Sequence, residues 1–363
     1  MRPRWRLGAA AAIALVVAGC GSSGESQPTR TAARAHLPST APYLEMTSPT
    51  SGILVWPSGS AWLLLSTRDS FAHVTNRTPE GVETDGGLIA AAAPGRTVVA
   101  VRAHERLVRS PVLTTDHTWR WSADELPGAV ADARAALSVT PATAVLTAGG
   151  GTLQRHGARG WTPVVAALSL GHHLKIDAMT WASAQIGWLT GSARRGAPTA
   201  YGTRDGGRTW TAVPQAAGAV TAARAPCGSG SSWLMPVVRS GASITVLRTT
   251  DDGARWTAGA PVPPSSAGPV MGCAGDTVWL DGRPDGRDRI LSSSDGGGTW
   301  VDRGVAPDNL SDLTPTAGGA GFAASGGSDP QLWRVTREGA HFAEIALPSW
   351  TSSLGGQHSS DMN

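Results

Sequence analysis

The sequence predicts an all-β fold assembled from a repeated unit of about 45 residues, and three observations carry the prediction. The first is a gapless alignment of three eight-residue segments. They are Thr203-Arg-Asp205-Gly-Gly207-Arg-Thr209-Trp210, Thr249-Thr-Asp251-Asp-Gly253-Ala-Arg255-Trp256 and Ser293-Ser-Asp295-Gly-Gly297-Gly-Thr299-Trp300. The second is their spacing: Asp205, Asp251 and Asp295 stand 46 and 44 residues apart. The third is the text between them, short apolar or β-branched runs separated by Gly, Pro, Asp and Ser turns.

Worn copies continue the period in both directions. Thr67-x-Asp69 leads to Val74, and Thr114-x-Asp116 leads to Trp121. Gln154 and His156 precede Trp161, and Gly339 precedes Phe342. The closing position of each unit therefore falls at 74, 121, 161, 210, 256, 300 and 342. Within the fourth unit, strands are predicted at 176–181, 187–190, 200–204 and 209–213. Four short strands in roughly 40–50 residues make the blade of a β-propeller. Seven units give seven blades of four antiparallel strands. Six or eight are also compatible, because the end units are degenerate.

The segments resemble the Asp-box, or bacterial neuraminidase, repeat, with pattern Ser/Thr-x-Asp-x-Gly-x-Thr-Trp. The phrase Ile186-Gly-Trp188-Leu-Thr-Gly191 is similar to the second blade strand of propellers related to a photosystem II assembly factor. These resemblances cover residues 42–347, most sharply in the middle three units. In the Asp-box family the box joins the third and fourth strands, at the outer part of the blade. The residue types suit that structural work. An Asp opening a turn accepts backbone N–H bonds further round it. A glycine two residues on takes positive φ at little cost, and the closing Trp buries a large ring. Thr203, Asp205, Gly207, Trp210, Thr249, Asp251, Gly253, Trp256, Ser293, Asp295, Gly297 and Trp300 are thus read as blade-building residues.

The start of the chain has a different texture. Arg2, Arg4 and Arg6 precede an uncharged, almost wholly apolar run from Leu7 to Val17. That is a signal-peptide pattern, short for a bilayer span. Val17-Ala18-Gly19-Cys20 resembles the bacterial lipobox, which implies cleavage before Cys20 and acyl lipid (palmitate) on its sulfur. The expected product is a lipoprotein on the outer face of the cytoplasmic membrane. Residues 21–41 are small, polar and Pro-containing and are expected to be a disordered tether. Residues 348–363 are expected to be a disordered tail, with Trp350 an exception to its polar character.

Charge is uninformative about partners. The chain has 30 Lys+Arg and 27 Asp+Glu, a formal +3. Removing residues 1–19 takes three arginines and no acid, so the mature chain is near neutral and no nucleic-acid partner is implied. Cys227 and Cys273 remain, 46 residues apart and each six residues before a tryptophan, Trp233 and Trp279. They occupy equivalent places in neighbouring units, and an extracytoplasmic setting permits a disulfide between them. Two buried free thiols are the alternative.

Asp-box propellers include sialidases, so the resemblance raises the question of a catalytic constellation. Such an enzyme needs an arginine triad for the substrate carboxylate, a Tyr nucleophile activated by Glu, and an Asp acid. Only two tyrosines are present. Tyr43 is placed at the tether edge, and Tyr201 on a strand running toward the blade periphery. Arg77-Thr78-Pro79 only faintly echoes the family's Arg-Ile-Pro signature. No metal or cofactor is implied. His172 and His173 are adjacent and would face opposite ways on a strand. Asp281, Asp285 and Asp288 alternate with arginines, as in a polar hairpin. Gly149-Gly150-Gly151 reads as a turn. The leading expectation is a monomeric, non-catalytic module binding a protein or cell-wall glycan. A sialidase-like exo-glycoside hydrolase and an assembly factor for a membrane complex are the alternatives.

Overall fold

The computed structural model describes residues 41–80, 88–93, 96–101, 112–115, 119–124, 137–140, 143–148, 152–157, 160–164, 174–193, 198–214, 220–223, 226–239, 243–264, 270–316, 318–336 and 339–351. The lipobox with Cys20, the tether to residue 40, Asp116, the Gly149–Gly151 turn and His172-His173 lie outside the described residues. Among those described, no helix is long and apolar enough to cross a membrane.

The protein is a single β-propeller of antiparallel blades. Among the described residues the strands pair into seven sheets, each from one continuous stretch of chain. Sheets 1 to 7 span 43–76, 88–124, 137–163, 174–212, 220–258, 271–305 and 310–344. Strand order within each follows sequence order. Sheet 5 carries one extra short strand, Cys227–Ser229, beside its second strand. In sheet 4 the strands are Leu174–Trp181, Gly187–Ala193, Pro198–Thr203 and Thr211–Ala212. The inner strands run a few residues longer than the sequence suggests, and the outer one is shorter. The outer strand shortens because the box turn takes up Arg204–Trp210.

The first strands of sheets 1, 2, 3, 4, 6 and 7 face the hub, and in sheet 5 the extra strand Cys227–Ser229 lies against Met271–Ala274. This follows from packing: Tyr43–Met46 lies against Leu88–Ala93, that strand against Leu137–Val139, and that one against Leu174–Trp181. Met271–Ala274 lies against Leu310–Pro315, which returns to Tyr43–Met46. A hub crowded with first strands favours small side chains, and Leu88–Ala93 reads LIAAAA. Large side chains fill the spaces between sheets instead. Trp188, Trp233, Met235 and Trp256 form one such cluster, and Trp181, Leu189 and Trp210 another. Burying one such side chain contributes about 1.5–3 kcal/mol.

Neighbouring sheets are tied at the hub by side chains bonded to backbone. Ala92 N–H donates to Glu45 Oε2 at 2.7 Å, joining sheets 1 and 2. Trp181 N–H donates to Ser138 Oγ at 2.9 Å, joining sheets 3 and 4. The ring closes between sheets 7 and 1, where Leu44 N–H donates to Asp312 Oδ2 at 2.8 Å and Ser311 Oγ donates to Pro42 O at 3.2 Å. Leu44, Leu65 and Phe71 share a core there with Phe322 and Leu332.

This closure corrects two sequence readings. Tyr43 is not at a tether edge but opens the innermost strand of sheet 1, because the next residue's N–H is taken by Asp312. Residues 349–351, expected within a disordered tail, have regular structure. Ser349–Thr351 forms a 3-10 turn against the strand Gly52–Ser58, with Thr351 buried.

Candidate functional site

The three boxes occupy the turn between third and outer strands, and their geometry repeats closely. The first-position hydroxyl is buried in each: Thr203 is 3%, Thr249 2% and Ser293 4% exposed. It donates to the carboxylate two residues on, at 2.9, 2.8 and 2.6 Å respectively. It also accepts the N–H of Gly207, Gly253 or Gly297 at 2.8, 2.9 and 2.8 Å. The carboxylate's Oδ1 then accepts the N–H of Thr209, Arg255 or Thr299, each at 2.9 Å. In the first and third boxes Oδ2 takes the threonine hydroxyl as well, at 2.6 and 2.8 Å.

Two consecutive residues at the top of the turn have positive φ: Gly206 and Gly207, Asp252 and Gly253, Gly296 and Gly297. The bonds favour the ionised carboxylate. The hydroxyl and N–H of Thr209 hold Asp205 down at about 2. Asp251 is lowered mainly by the Arg255 N–H, and Asp295 mainly by the Ser293 hydroxyl.

The worn copy at the front folds the same way. Thr67 Oγ1 donates to Asp69 Oδ1 at 3.0 Å and accepts Phe71 N–H at 2.8 Å. His73 donates its N–H to Asp69 Oδ1 at 2.9 Å and sets its ring Nδ1 2.6 Å from Oδ2, in place of the threonine hydroxyl. Ser70 and Phe71 hold the positive φ that glycines take elsewhere.

Sequence reasoning missed a set of arginines on the third strands or, for Arg204, one residue past the strand's end. Each reaches across to a backbone carbonyl of the next sheet's box turn. Arg155 donates to Gly206 O at 2.8 Å, Arg204 to Asp251 O at 2.6 Å and Arg248 to Asp295 O at 3.2 Å. Arg334 of sheet 7 donates to Ser70 O of sheet 1 at 2.8 Å, closing the same pattern round the ring. Each stands directly before or directly after the first box position of its own unit, which puts all four on one face of the strand. That regularity was available in the sequence.

The disulfide between Cys227 and Cys273 is formed, with Cα atoms 5.9 Å apart. Cys273 is on the inner strand of sheet 6 and Cys227 on the extra strand of sheet 5, so the bond ties those two sheets. Tyr201 lies on the third strand of sheet 4, half-buried against the core that Val145 and Leu153 share with Trp181 and Trp210. Arg77 is at the outer edge of sheet 1, stacked 5.1 Å from the Trp119 ring centroid. Asp285 and Asp288 lie in a hairpin where Arg283 Nε donates to Gly286 O at 2.7 Å, while Asp281 is buried on the strand before it. Among the described residues no three His, Cys, Asp or Glu side chains converge as a metal site.

One cleft is open among these features. It lies between the outer strand of sheet 4 and the box of sheet 5, holds about 560 Å³, and is lined by Trp188, Arg204, Thr209, Thr211, Asp252 and Arg255, with Pro214, Gly253 and Trp256 among its walls. That volume is within the roughly 300–1,000 Å³ usual for ligand pockets. The three box tryptophans differ here. Trp210 Nε1 donates to Gly207 O at 3.1 Å and Trp300 Nε1 to Ala260 O at 3.3 Å. Trp256 Nε1 is buried without a partner, as are those of Trp161, Trp181, Trp279 and Trp333.

No family model matches the chain, and neither does any curated protein. Solved structures do. A structure described as YCF48 bound to D1 peptide is 18% identical, with TM-score 0.54, covering 83% of this chain and 95% of that one. A GH74 xyloglucanase from Xanthomonas campestris is 16% identical, with TM-score 0.55, covering 82% of this chain and 52% of that one. A prolyl endopeptidase structure is 11% identical, with TM-score 0.56, covering 84% of this chain and 50% of that one. The chain thus spans about half the length of the latter two proteins. At these identities the likeness establishes the propeller fold.

Proposed function

We propose that this chain is a non-catalytic binding module: a closed, seven-bladed propeller outside the cytoplasmic membrane, held there by lipid on Cys20, that docks a protein partner. The observation that carries this reading is how the box residues are used. The carboxylates that suggest acid–base chemistry are consumed by their own turns. The third-strand arginines are committed to the next sheet's backbone. The cleft between sheets 4 and 5, by contrast, is open and lined by polar side chains, Arg204, Thr209, Thr211, Asp252 and Arg255. The YCF48 structure supports the choice of a peptide-like partner, since that protein of similar fold is described bound to a peptide. Function still has to be argued from a site and not from a shared fold.

Cross-linking the full chain in its own envelope, followed by purification through a C-terminal tag, tests the reading. It predicts a stoichiometric protein partner and loss of membrane association in Cys20→Ala. Carbohydrate without protein would instead favour a wall-glycan binder. Turnover of a fluorogenic sialoside, abolished by Tyr43→Phe or Tyr201→Phe, would replace the reading with a sialidase-like exo-glycoside hydrolase. A partner found only with an immature membrane complex would make the module an assembly factor.

A further inference from the structure

Each of the four described box turns rests on the hairpin that joins the first two strands of its own sheet. One N–H at the top of the turn donates to that hairpin: Ser70 to Thr50 O, Gly206 to Gln185 O, Asp252 to Ser231 O and Gly296 to Asp276 O. The sheets can therefore be compared place by place around the point where the preceding sheet's arginine arrives. At sheet 6 the hairpin residue supplies a counter-charge, with Arg248 Nη2 3.4 Å from Asp276 Oδ1. At sheet 5 the Asp251 carboxylate, held down first by the Arg255 N–H, also feels the charge of Arg204.

Sheet 4 departs from this arrangement in two places at once. Its hairpin residue is Gln185, which is neutral, and its turn adds a second cation. Arg208 occupies the place held by Ala72 in sheet 1, Ala254 in sheet 5 and Gly298 in sheet 6. Arg155 arrives from sheet 3 with its guanidinium 4.8 Å from the Trp181 ring centroid and Nη2 on Gly206 O at 2.8 Å. A Cβ on Gly206 would lie 3.0 Å from Nη1, so both terminal nitrogens lie against the turn, two residues before Arg208. Burial first, and then the Arg208 charge, pull Arg155 below the ordinary arginine range. Among the described residues neither arginine takes part in an ion pair. The turn's own carboxylate, Asp205, is engaged by Thr203 and Thr209 through both oxygens.

We propose that Arg155 and Arg208 form a site for a dianionic phosphate group at the junction of sheets 3 and 4, a role separate from docking a protein partner. Two guanidinium charges stand together without a counter-charge, and a phosphate monoester brings close to two at neutral pH, with three acceptor oxygens. Guanidinium forks match that geometry. Arg155 spends one bond on Gly206 O, and a guanidinium has five donors. The Trp181 ring and the Gly206 carbonyl already hold it in place, so little side-chain freedom is lost on binding. Arg208 is exposed and opens the site to solvent.

The test uses residues 21–363, which contain the whole closed ring. Calorimetric titration at constant ionic strength compares inorganic phosphate, glycerol 3-phosphate and acetate. Both phosphates should bind at least about tenfold tighter than acetate, the difference one further charge-assisted bond makes. Arg208→Ser removes an exposed cation, and Gln185→Glu supplies the carboxylate that Asp276 gives sheet 6. Each should weaken phosphate binding at least about tenfold with the melting temperature held, and Arg68→Ser, an exposed arginine of the front box, should leave it unchanged. In the ¹⁵N-indole spectrum the Trp181 resonance, assigned through Trp181→Phe, should move with phosphate and that of Trp300 should not. Equal phosphate affinity in wild type, Arg208→Ser and Gln185→Glu would overturn the site, as would absence of binding at millimolar phosphate. Acetate matching phosphate would overturn the dianion. Vesicles then separate the sources of the group. Arg208-dependent capture on phosphatidate-containing vesicles, and not on phosphatidylcholine alone, identifies a lipid headgroup, whereas binding in solution without capture identifies a free phosphate ester. None of these results alters what cross-linking in the envelope would say about a protein partner.

Discussion

Replacing Thr203 by alanine isolates what the first box residue does. The side chain is buried and makes two ties: its oxygen accepts Gly207 N–H at 2.8 Å and its hydrogen goes to Asp205 at 2.9 Å. Alanine removes the acceptor and leaves the buried Gly207 N–H unsatisfied, which costs about 1–3 kcal/mol. Unfolding entropy of about 2.1 cal/mol/K per residue, taken over residues 41–351, gives roughly 0.65 kcal/mol/K. The expected fall in melting temperature is therefore about 1.5–5 °C, read by near-UV circular dichroism or calorimetry. Thr203→Ser keeps the hydroxyl and should stay within about 1 °C of wild type, since the small loss of a methyl is all that changes. Thr250→Ala, at an exposed position in the second box, should do the same. If Thr203→Ala melts with wild type, or Thr203→Ser falls as far as alanine, the hydroxyl is not what holds the turn.

Three further outcomes follow from the same geometry. Asp205 is held at about 2 against an ordinary 3.8, so its contribution is complete above about pH 5 and lost as pH falls toward 2. The melting temperature should be level from pH 7 to 5 and drop below 4, with a shallower acid slope in Asp205→Asn. Cys227→Ala with Cys273→Ala opens a 46-residue loop and should cost about 4 kcal/mol by loop entropy, lowering the melting temperature by about 6 °C. Asp312→Ala removes the acceptor of Leu44 N–H, and amide exchange at Tyr43–Met46 should accelerate selectively, while exchange in sheet 4 stays unchanged.

The boxes were legible because their chemistry is local: hydroxyl, carboxylate and glycine act within eight residues, so the pattern survives in one sequence. The front copy was legible for the same reason, even with His73 replacing a threonine and Val74 a tryptophan. What escaped notice acts between units. Glu45, Ser138 and Asp312 look like single polar residues in short strands until the ring brings each beside a neighbour's N–H. Tyr43 was misplaced because the strand it opens is held by a residue some 270 positions away, and no local signal marks that. The cleft escaped because its walls come from two units, the end of sheet 4 and the box of sheet 5.

Among the described residues each sheet is built from its own stretch of chain, and none borrows a strand from the other end of the sequence. The seam between sheets 7 and 1 is therefore made of the same parts as the interior junctions: a side chain bonded to an inner-strand N–H and an arginine on a turn carbonyl. Where the polypeptide starts is consequently a matter of convention for this ring. Its units can be gained, lost or worn by mutation one at a time, as the degenerate boxes of sheets 2, 3 and 7 illustrate, without any change to the rule by which neighbours are joined.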